Sequence, residues 1–483
     1  MLNVQWEEIA RRGKNHALLL IDQVAQSYSR GLLGPTLDSE LTIQHYRQLA
    51  GARWLSVNDV ENYVQAMQAG LEKDPKMMLH IAKQRNSIVA KIRDLGYMDI
   101  DSSDSEQRRK NILNFLEFGV QLWATAYHYI ILNKFYPDLL VARVAEKESN
   151  YLKQNAYLAT LLELPQATDA RLEKNSMLNI ALTAKEKSEW RTSREVNELI
   201  NEHLQKFAHM GLHYYWGAPY APKDIYPRLE VLLSKNLGDE LNSKQLQENV
   251  NLTTAEIFDK LKFGEEEKIL VETLRQWGQT ANYADETYSF AVYKLMPSIK
   301  QTCKEWNISW NQFASMRVSE IKNAFENGFD DNLITQLSSR YIDHAIIFDN
   351  PTVTVLYGEQ LKKYKKIELA EQEAMHSVKQ LQGQSVCPGL VAGKTRIVQS
   401  LEDANALQRG EILVAPSTFP AYVPAMERSV AIVTDEGGLL CHAAIVAREI
   451  KVPCIVGTKI ATKVFRNGDE VEVNATNGTI KKI

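Results

Sequence analysis

Between Ile432 and Gly457 the chain reads IVTDEGGLLCHAAIVAREIKVPCIVG. A short β-rich run ends at Asp435, two glycines follow at 437 and 438, and a helical pattern begins with His442 in its first turn. Gly437 and Gly438 let the backbone turn sharply without a Cβ penalty. Ala443, Ala444 and Ala447 keep the following helix thin. This arrangement suits a histidine that carries a phosphoryl group. A neutral imidazole is a good nucleophile at physiological pH. A helix N-terminus disfavours the imidazolium form. Once the ring is phosphorylated, free amides at the same terminus can bind the dianion. On these residues alone, one histidine at a helix start is weak evidence, and a structural histidine satisfied by a neighbouring carbonyl is the favoured reading.

Other chemistry-bearing residues are weaker candidates. Gly389-Leu-Val-Ala-Gly393-Lys394-Thr395 looks like a phosphate-binding loop but is one residue short between its glycines. It also runs into a strand pattern, where such a loop must open a helix. A turn feeding the first strand is the better reading. The loop at 213–222, HYYWGAPYAP, offers Tyr215 and Trp216, with Tyr214 and Tyr220, as pocket-lining aromatics. Asp285 and Glu286 are acidic residues on a long helix and are candidates for a general base toward an acceptor hydroxyl. Trp277, Tyr283, Tyr288 and Tyr293 on that helix fit a core as well as a pocket. His203, His209 and His213 match no metal-ligand spacing, and core or surface roles suit them better.

The elements that must position these residues fall into two halves. To about residue 380 the helical period dominates. Ile112, Leu116, Val120, Trp123, Tyr127 and Ile130 form one stripe, with a capping box at Ser103 and Glu106. Thr192 with Glu195 predicts another helix, with Val196, Leu199, Ile200, His203 and Phe207 as its stripe and Gly211 as its stop. Thr253 with Glu256 predicts a third, and a long pattern from Glu265 to Trp306 is broken or kinked near Pro297. No convincing strand occurs in this part, so 1–360 reads as all-helical. Residues 361–384 read as a charged linker helix ending at Gly383. From 385 to 483 the period shortens: GKTRIVQS, EILVAP, SVAIVTD, VPCIVG, EVEVNA and GTIKKI read as strands, with helices near Tyr422–Glu427 and from Leu440 to Ile450. The fold class is multidomain, α plus α/β: a large all-helical N-terminal half, then a small domain of strands and helices.

The 483 residues carry 56 basic and 60 acidic side chains, a net charge of −4. No basic field invites nucleic acid. The longest uncharged run, Phe118–Asn133, is too short and too polar to span a bilayer, so no membrane partner is expected. The start, MLNVQWEEIARRGK, has no apolar h-region of a signal peptide. Four scattered cysteines form no disulfide framework or zinc motif, and a reducing cytoplasm fits them best.

The string around His442 resembles the phosphohistidine signature of phosphoenolpyruvate synthase and pyruvate phosphate dikinase. Thr434, Gly437, Gly438, His442 to Ala444, Ile445, Val446, Ala447 and Arg448 all fit it, and Cys441 looks like the synthase branch. Glu449 to Pro453 and Pro388-Gly389 are similar to the family as well. Leu440 departs from it, standing where threonine is usual, the position regulated in plant dikinases. Ala431 stands where glycine is common. The resemblance implies that His442 is the phosphoryl carrier of a swivelling β/β/α domain, supported by Thr434, Gly437, Gly438, Cys441 and Arg448. It implies Mg²⁺ with ATP at the transfers, and no metal ligand motif in this chain.

Full-length family members bring an ATP-grasp domain, and many a phosphoenolpyruvate-binding barrel. Neither pattern is seen in the sequence. The order of a helical region before the histidine domain resembles rifampicin phosphotransferases without their ATP-grasp domain. That likeness includes MRVSEIKNAFENG at 316–328 and Arg340. The expectation is a phosphotransferase component. His442 takes a phosphoryl group from a separately encoded ATP-grasp partner and passes it to a small-molecule acceptor bound by the helical half, through Tyr215, Trp216 or Asp285. The alternative is a binding or regulatory protein whose phosphohistidine domain is a signal or a relic.

Overall fold

The computed structural model describes residues 6–11, 18–29, 43–49, 52–97, 104–128, 132, 135–234, 252–369, 380–439 and 441–483. The expected two-part layout is present, with a large helical N-terminal half and a C-terminal sheet domain.

The helical half is organised around one 41-residue helix, Glu265–Glu305. It packs lengthwise on the helix Met77–Tyr97 and on Ser105–Ala124. On Met77–Tyr97 the buried residues recur at helical spacing: Met78, Ile81, Ala82, Arg85, Ile88, Val89 and Ile92. Their apolar members merge with Leu116, Trp277, Tyr288 and Leu295 into one core. The break expected at Pro297 does not occur; the long helix runs through it. Packing along most of the helix outweighs the single backbone bond that a proline removes.

Cap residues set several helix starts. Thr253 and Glu256 form the expected reciprocal cap of Thr254–Leu261. The helix Ser105–Ala124 is capped by Asp104, whose carboxylate accepts from the amides of Glu106 and Gln107; Ser103, read as its cap, lies outside the described residues. The helix Arg194–Phe207 starts after Ser193, one residue beyond Thr192. Tyr127 falls on a short 3-10 turn, and Ile130 lies outside the described residues.

The reading of 1–360 as all-helical is corrected by a five-stranded sheet. Its strands, in spatial order, are Trp6–Arg11, Ala52–Ser56, His45–Leu49, His344–Asp349 and Thr352–Tyr357, and every pairing is antiparallel. These strands are five or six residues long, and the two hairpins among them, 45–56 and 344–357, lie far apart in sequence, so each gave only a weak local signal. Among the described residues, a hairpin of two-residue strands, Leu212–His213 with Trp216–Gly217, completes the strands of this half.

The helix expected across 361–384 is shorter. Gly358–Leu369 is helical and residues 370–379 lie outside the described residues. Gln380–Gln382 is a strand paired with Thr479–Lys482, and the Gly383 amide donates to the Gly478 carbonyl. The edge of the C-terminal sheet thus claims the end of the segment read as a helical linker.

The C-terminal sheet has eight strands. Four central ones are parallel: Leu390–Ile397, Ile412–Ala415, Ala431–Thr434 and Cys454–Val456. Antiparallel strands flank them: Glu470–Asn474, Thr479–Lys482 and Gln380–Gln382 on one side, and Gln384–Cys387 on the other. The inner strands are buried on both faces, as their Val- and Ile-rich runs require. Leu413 and Ile432 face one core, and Ile412 and Val433 the other. Helices Val423–Arg428 and His442–Ile450 connect successive parallel strands. The rejected phosphate loop is a turn into the first parallel strand. A Cβ on Gly389 would lie 2.6 Å from the Pro453 ring.

Candidate functional site

In a parallel sheet, the loops leaving the carboxyl ends of neighbouring strands meet in one crevice. Here the loop after Ala415 carries Ser417, Thr418 and Phe419, and the loop after Thr434 carries the two glycines and Cys441. The Asp435 and Glu436 amides donate to the carbonyls of Ala415 and Pro416 at 3.0 Å, which holds the two loops together. His442 is the first residue of its helix. Its Nδ1 lies 2.8 Å from the Thr418 hydroxyl.

Each supporting residue has a local task. Thr434 donates its hydroxyl to the Glu436 carbonyl at 2.5 Å, and its own carbonyl accepts from both the amide and the hydroxyl of Thr458. Asp435 accepts from the amide of Thr462 at 2.9 Å and from its hydroxyl. Gly437 has φ +116°, and a Cβ there would come within 2.6 Å of the Cys441 sulfur. The Gly438 carbonyl accepts from the Cys441 amide at 3.0 Å. Cys441 is the N-cap, its Sγ accepting from the Ala444 amide at 3.4 Å. Leu440 lies outside the described residues.

Arg448 lies with Cys441, Cys454 and Cys387. Burial depresses its pKa and pushes those of the three thiols up. Cys387 and Cys454 are cross-strand neighbours.

The histidine loop is seated on the helical half. Leu439 joins the cluster made by Leu140, Tyr157, Leu161, Leu261 and Leu274. On the other loop, the Phe419 ring stacks on His213, with centroids 3.5 Å apart and planes 13° from parallel. Two polar contacts flank these. Lys174 Nζ donates to the Glu449 carbonyl at 2.9 Å. Arg228 bonds both oxygens of Glu173 and lies 3.5 Å from Glu427.

The pocket residues expected from sequence separate. Tyr215 is a core residue. It is 2% exposed, its hydroxyl lies 3.2 Å from that of Tyr288, and its carbonyl accepts from Trp310 Nε1. Burial pushes its phenol pKa up. Trp216 is half-buried and stacks on Tyr341. Asp285 is half-buried and accepts the Tyr214 hydroxyl at 2.7 Å. Glu286 is fully enclosed and accepts from the amides of Asp169 and Ala170, a structural place at a helix start. Burial and the nearby Asp169 hold its carboxyl well above the usual range.

The three histidines are buried. His203 contacts Ser176 and Glu173, His209 contacts Asp169, and His213 sits between Tyr214 and Phe419. Trp277 and Tyr288 belong to the core, and Tyr283 lies beneath Arg93. Among the described residues no three His, Cys, Asp or Glu side chains are grouped to hold a metal ion. No described helix is long and apolar enough to cross a membrane.

Thr418, Phe419 and the pairing of His213 with Tyr214 were missed as site residues. Nothing local marks Thr418, because its partner lies 24 residues away and is brought to it by sheet order.

Residues 407–478 match the family described as PEP-utilising enzyme, mobile domain. A probable phosphoenolpyruvate synthase of Archaeoglobus fulgidus is 44% identical over 135 residues, which are 28% of this chain and 17% of that protein. The phosphoenolpyruvate synthase of Pyrococcus furiosus is 46% identical over 102 residues, 21% of this chain and 12% of that one. That of Deinococcus radiodurans is 47% identical over 98 residues, 20% and 13% respectively. The chain thus spans less than a fifth of the length of these relatives. The C-terminal region is a mobile histidine domain of this family.

Proposed function

We propose that this chain is a phosphoryl carrier in which His442 takes a phosphoryl group from a separate donor and delivers it to an acceptor held by the helical half. The observation that carries this reading is the Thr418–His442 pair at the mouth of a matched mobile domain that is seated on the helical half. With Thr418 accepting Nδ1–H, the ring lone pair lies on Nε2, the atom that attacks. In the first transfer the N–P bond at Nε2 forms as the donor's O–P bond breaks. The phosphoryl group then lies beside the helix that Cys441 caps, whose first amides favour a dianion. In the second transfer an acceptor hydroxyl attacks, the N–P bond breaks, and the hydroxyl proton passes to a nearby base. Asp285 is the candidate for that base.

The donor is proposed to be a separately encoded ATP-grasp protein. Delivery then requires the mobile domain to leave its seat and return. The contacts that must open are Leu439 in its cluster, Phe419 on His213, and the Lys174 and Arg228 bonds. The Mg²⁺ implied by the resemblance would accompany ATP on the donor. Among the described residues no metal-ligand group supports placing it on this chain, and no step is derived through it.

The test is labelling. The purified chain is incubated with radiolabelled ATP and Mg²⁺, with and without the candidate ATP-grasp protein, and separately with phosphoramidate as a small chemical donor. Acid-labile, base-stable phosphate on His442 is expected with phosphoramidate, and from ATP only when the partner is present. His442→Ala should remove it. Label that survives His442→Ala would sink the carrier assignment. Self-labelling from ATP by the chain alone would sink the partner requirement.

A further inference from the structure

Arg85 lies on the buried stripe of helix Met77–Tyr97 and is 4% exposed. One terminal nitrogen donates to the Leu122 carbonyl at 3.0 Å and to the Thr125 hydroxyl at 2.7 Å. Its Nε is buried with no hydrogen-bond partner, and among the described residues it forms no ion pair. Arg108, Arg228 and Arg340 share the unpartnered Nε but differ in pairing with a carboxylate. Arg108 reaches Glu305, Arg228 reaches Glu173, and Arg340 reaches Glu320.

Burial lowers the Arg85 pKa to about 10, so the side chain stays cationic at neutral pH. The Asp285 carboxylate opposes part of that shift but makes no ion pair with Arg85, and a buried charge without a bonded counter-ion is costly. The face of Trp277, 5.2 Å away, offsets part of that cost but does not neutralise it. Nearby, Trp123 Nε1 is a second buried donor without a partner, on a tryptophan between the two residues that hold Arg85. His128 adds no competing charge, because burial and Arg85 lower its pKa to about 3. Two unsatisfied donors, one of them charged, call for a ligand rich in acceptor atoms and negative in charge.

The same cluster reaches the phosphoryl carrier. Tyr214 packs edge-on against Trp123 and donates to Asp285. Its neighbour His213 stacks on Phe419, which adjoins Thr418, the partner of His442. Two consecutive residues therefore bridge the arginine site and the histidine loop.

We propose that Arg85 binds the anionic group, carboxylate or phosphate, of a small hydroxylated acceptor, with Trp123 Nε1 as second donor. Naming this ligand an acceptor rests on the carrier reading; the anion site itself does not. In transfer, the N–P bond at His442 breaks, the O–P bond to the acceptor forms, the hydroxyl proton moves to Asp285, and the imidazole returns neutral.

The test uses the full, unphosphorylated chain without nucleotide, so it succeeds or fails independently of label on His442. Tryptophan fluorescence is titrated with inorganic phosphate and, separately, with acetate, at constant ionic strength set by chloride. Saturable binding of at least one is expected, and the tighter one identifies the anion class. Arg85→Met, checked for folding by circular dichroism, should weaken it tenfold or more. Hydrogen–deuterium exchange on the unmodified chain should show protection around residues 80–90 and 120–128 when the bound anion is added. Unchanged affinity in a folded Arg85→Met protein, or binding without protection in those segments, would overturn the proposal. So would the absence of saturable binding by either anion.

Discussion

The Thr418 hydroxyl sits 2.8 Å from Nδ1 of His442, across two loops that leave adjacent parallel strands. In the proposed carrier Thr418 is a positioning residue, holding the tautomer and rotation of the ring rather than touching the transferred group. Thr418→Val should slow phosphoramidate labelling of His442 about 10- to 100-fold, the range typical of lost orienting partners. Thr418→Ser should restore most of the rate. The pH dependence of labelling should also change in Thr418→Val. Equal rates and pH profiles in the three proteins would remove Thr418 from the site.

Gly437 is required by its backbone and by Cys441. Its φ of +116° disfavours any side chain, and a Cβ would meet the Cys441 sulfur at 2.6 Å. Gly437→Ala should cost about 1–3 kcal/mol in thermal or urea unfolding, the range for a strained residue. It should also displace the cap of the His442 helix and reduce labelling. Gly468, at φ +85° with open space around it, is the control, and alanine there should cost less.

The seat of the mobile domain should respond to pH. Burial raises the Glu449 carboxyl to about 7 despite the opposing charges of Arg171 and Lys174. A raised carboxyl pKa means the seated form binds its proton more tightly than the separated form does. Seating is therefore strongest below the ordinary carboxylate range, weakens as pH rises from about 4.5 to 7, and levels off above it. Small-angle scattering across this range should show expansion toward pH 7. Glu449→Gln should flatten the change, and a profile identical to that of the unmodified protein would exclude Glu449 as its source.

Asp285 and Glu286 should separate by phenotype. Glu286 accepts two backbone amides in full burial, and burial with the nearby Asp169 holds its carboxyl above the usual range. Glu286→Gln should unfold within about 1 kcal/mol of the unmodified protein, whereas Glu286→Ala, leaving two amides unpaired, should cost about 2–4 kcal/mol. Asp285→Asn should fold normally and slow discharge of phosphohistidine to an acceptor about 100-fold, within the range of general-base losses. If Asp285→Asn discharges at the ordinary rate, the base is another group.

Much of the C-terminal domain was legible in the chain, because its information is local. Val- and Ile-rich strands buried on both faces, a glycine pair, a helix start and His442 follow one another within 26 residues, and each constrains its neighbours. The helices of the first half were legible for the same reason, since a stripe such as Ile112, Leu116, Val120 and Trp123 states its own period. Its five-stranded sheet was not. Its hairpins, 45–56 and 344–357, are local but short, and the pairing that joins them, His45–Leu49 with His344–Asp349, has partners that no short window contains.

By itself, then, the sequence determined the helical and sheet halves, the histidine with its turn, and the family likeness. Tertiary structure decided which residues stand around that histidine. Thr418 reaches it through strand order, Phe419 meets His213 across the seam between the halves, and Tyr215 turns into the core while Tyr214 turns to Asp285. Arg85 shows the division most clearly. Its place on an apolar stripe is visible in the sequence. That its charge is buried without a carboxylate bonded to it depends on three helices converging, and convergence is a property of packing that spacing along one helix does not encode.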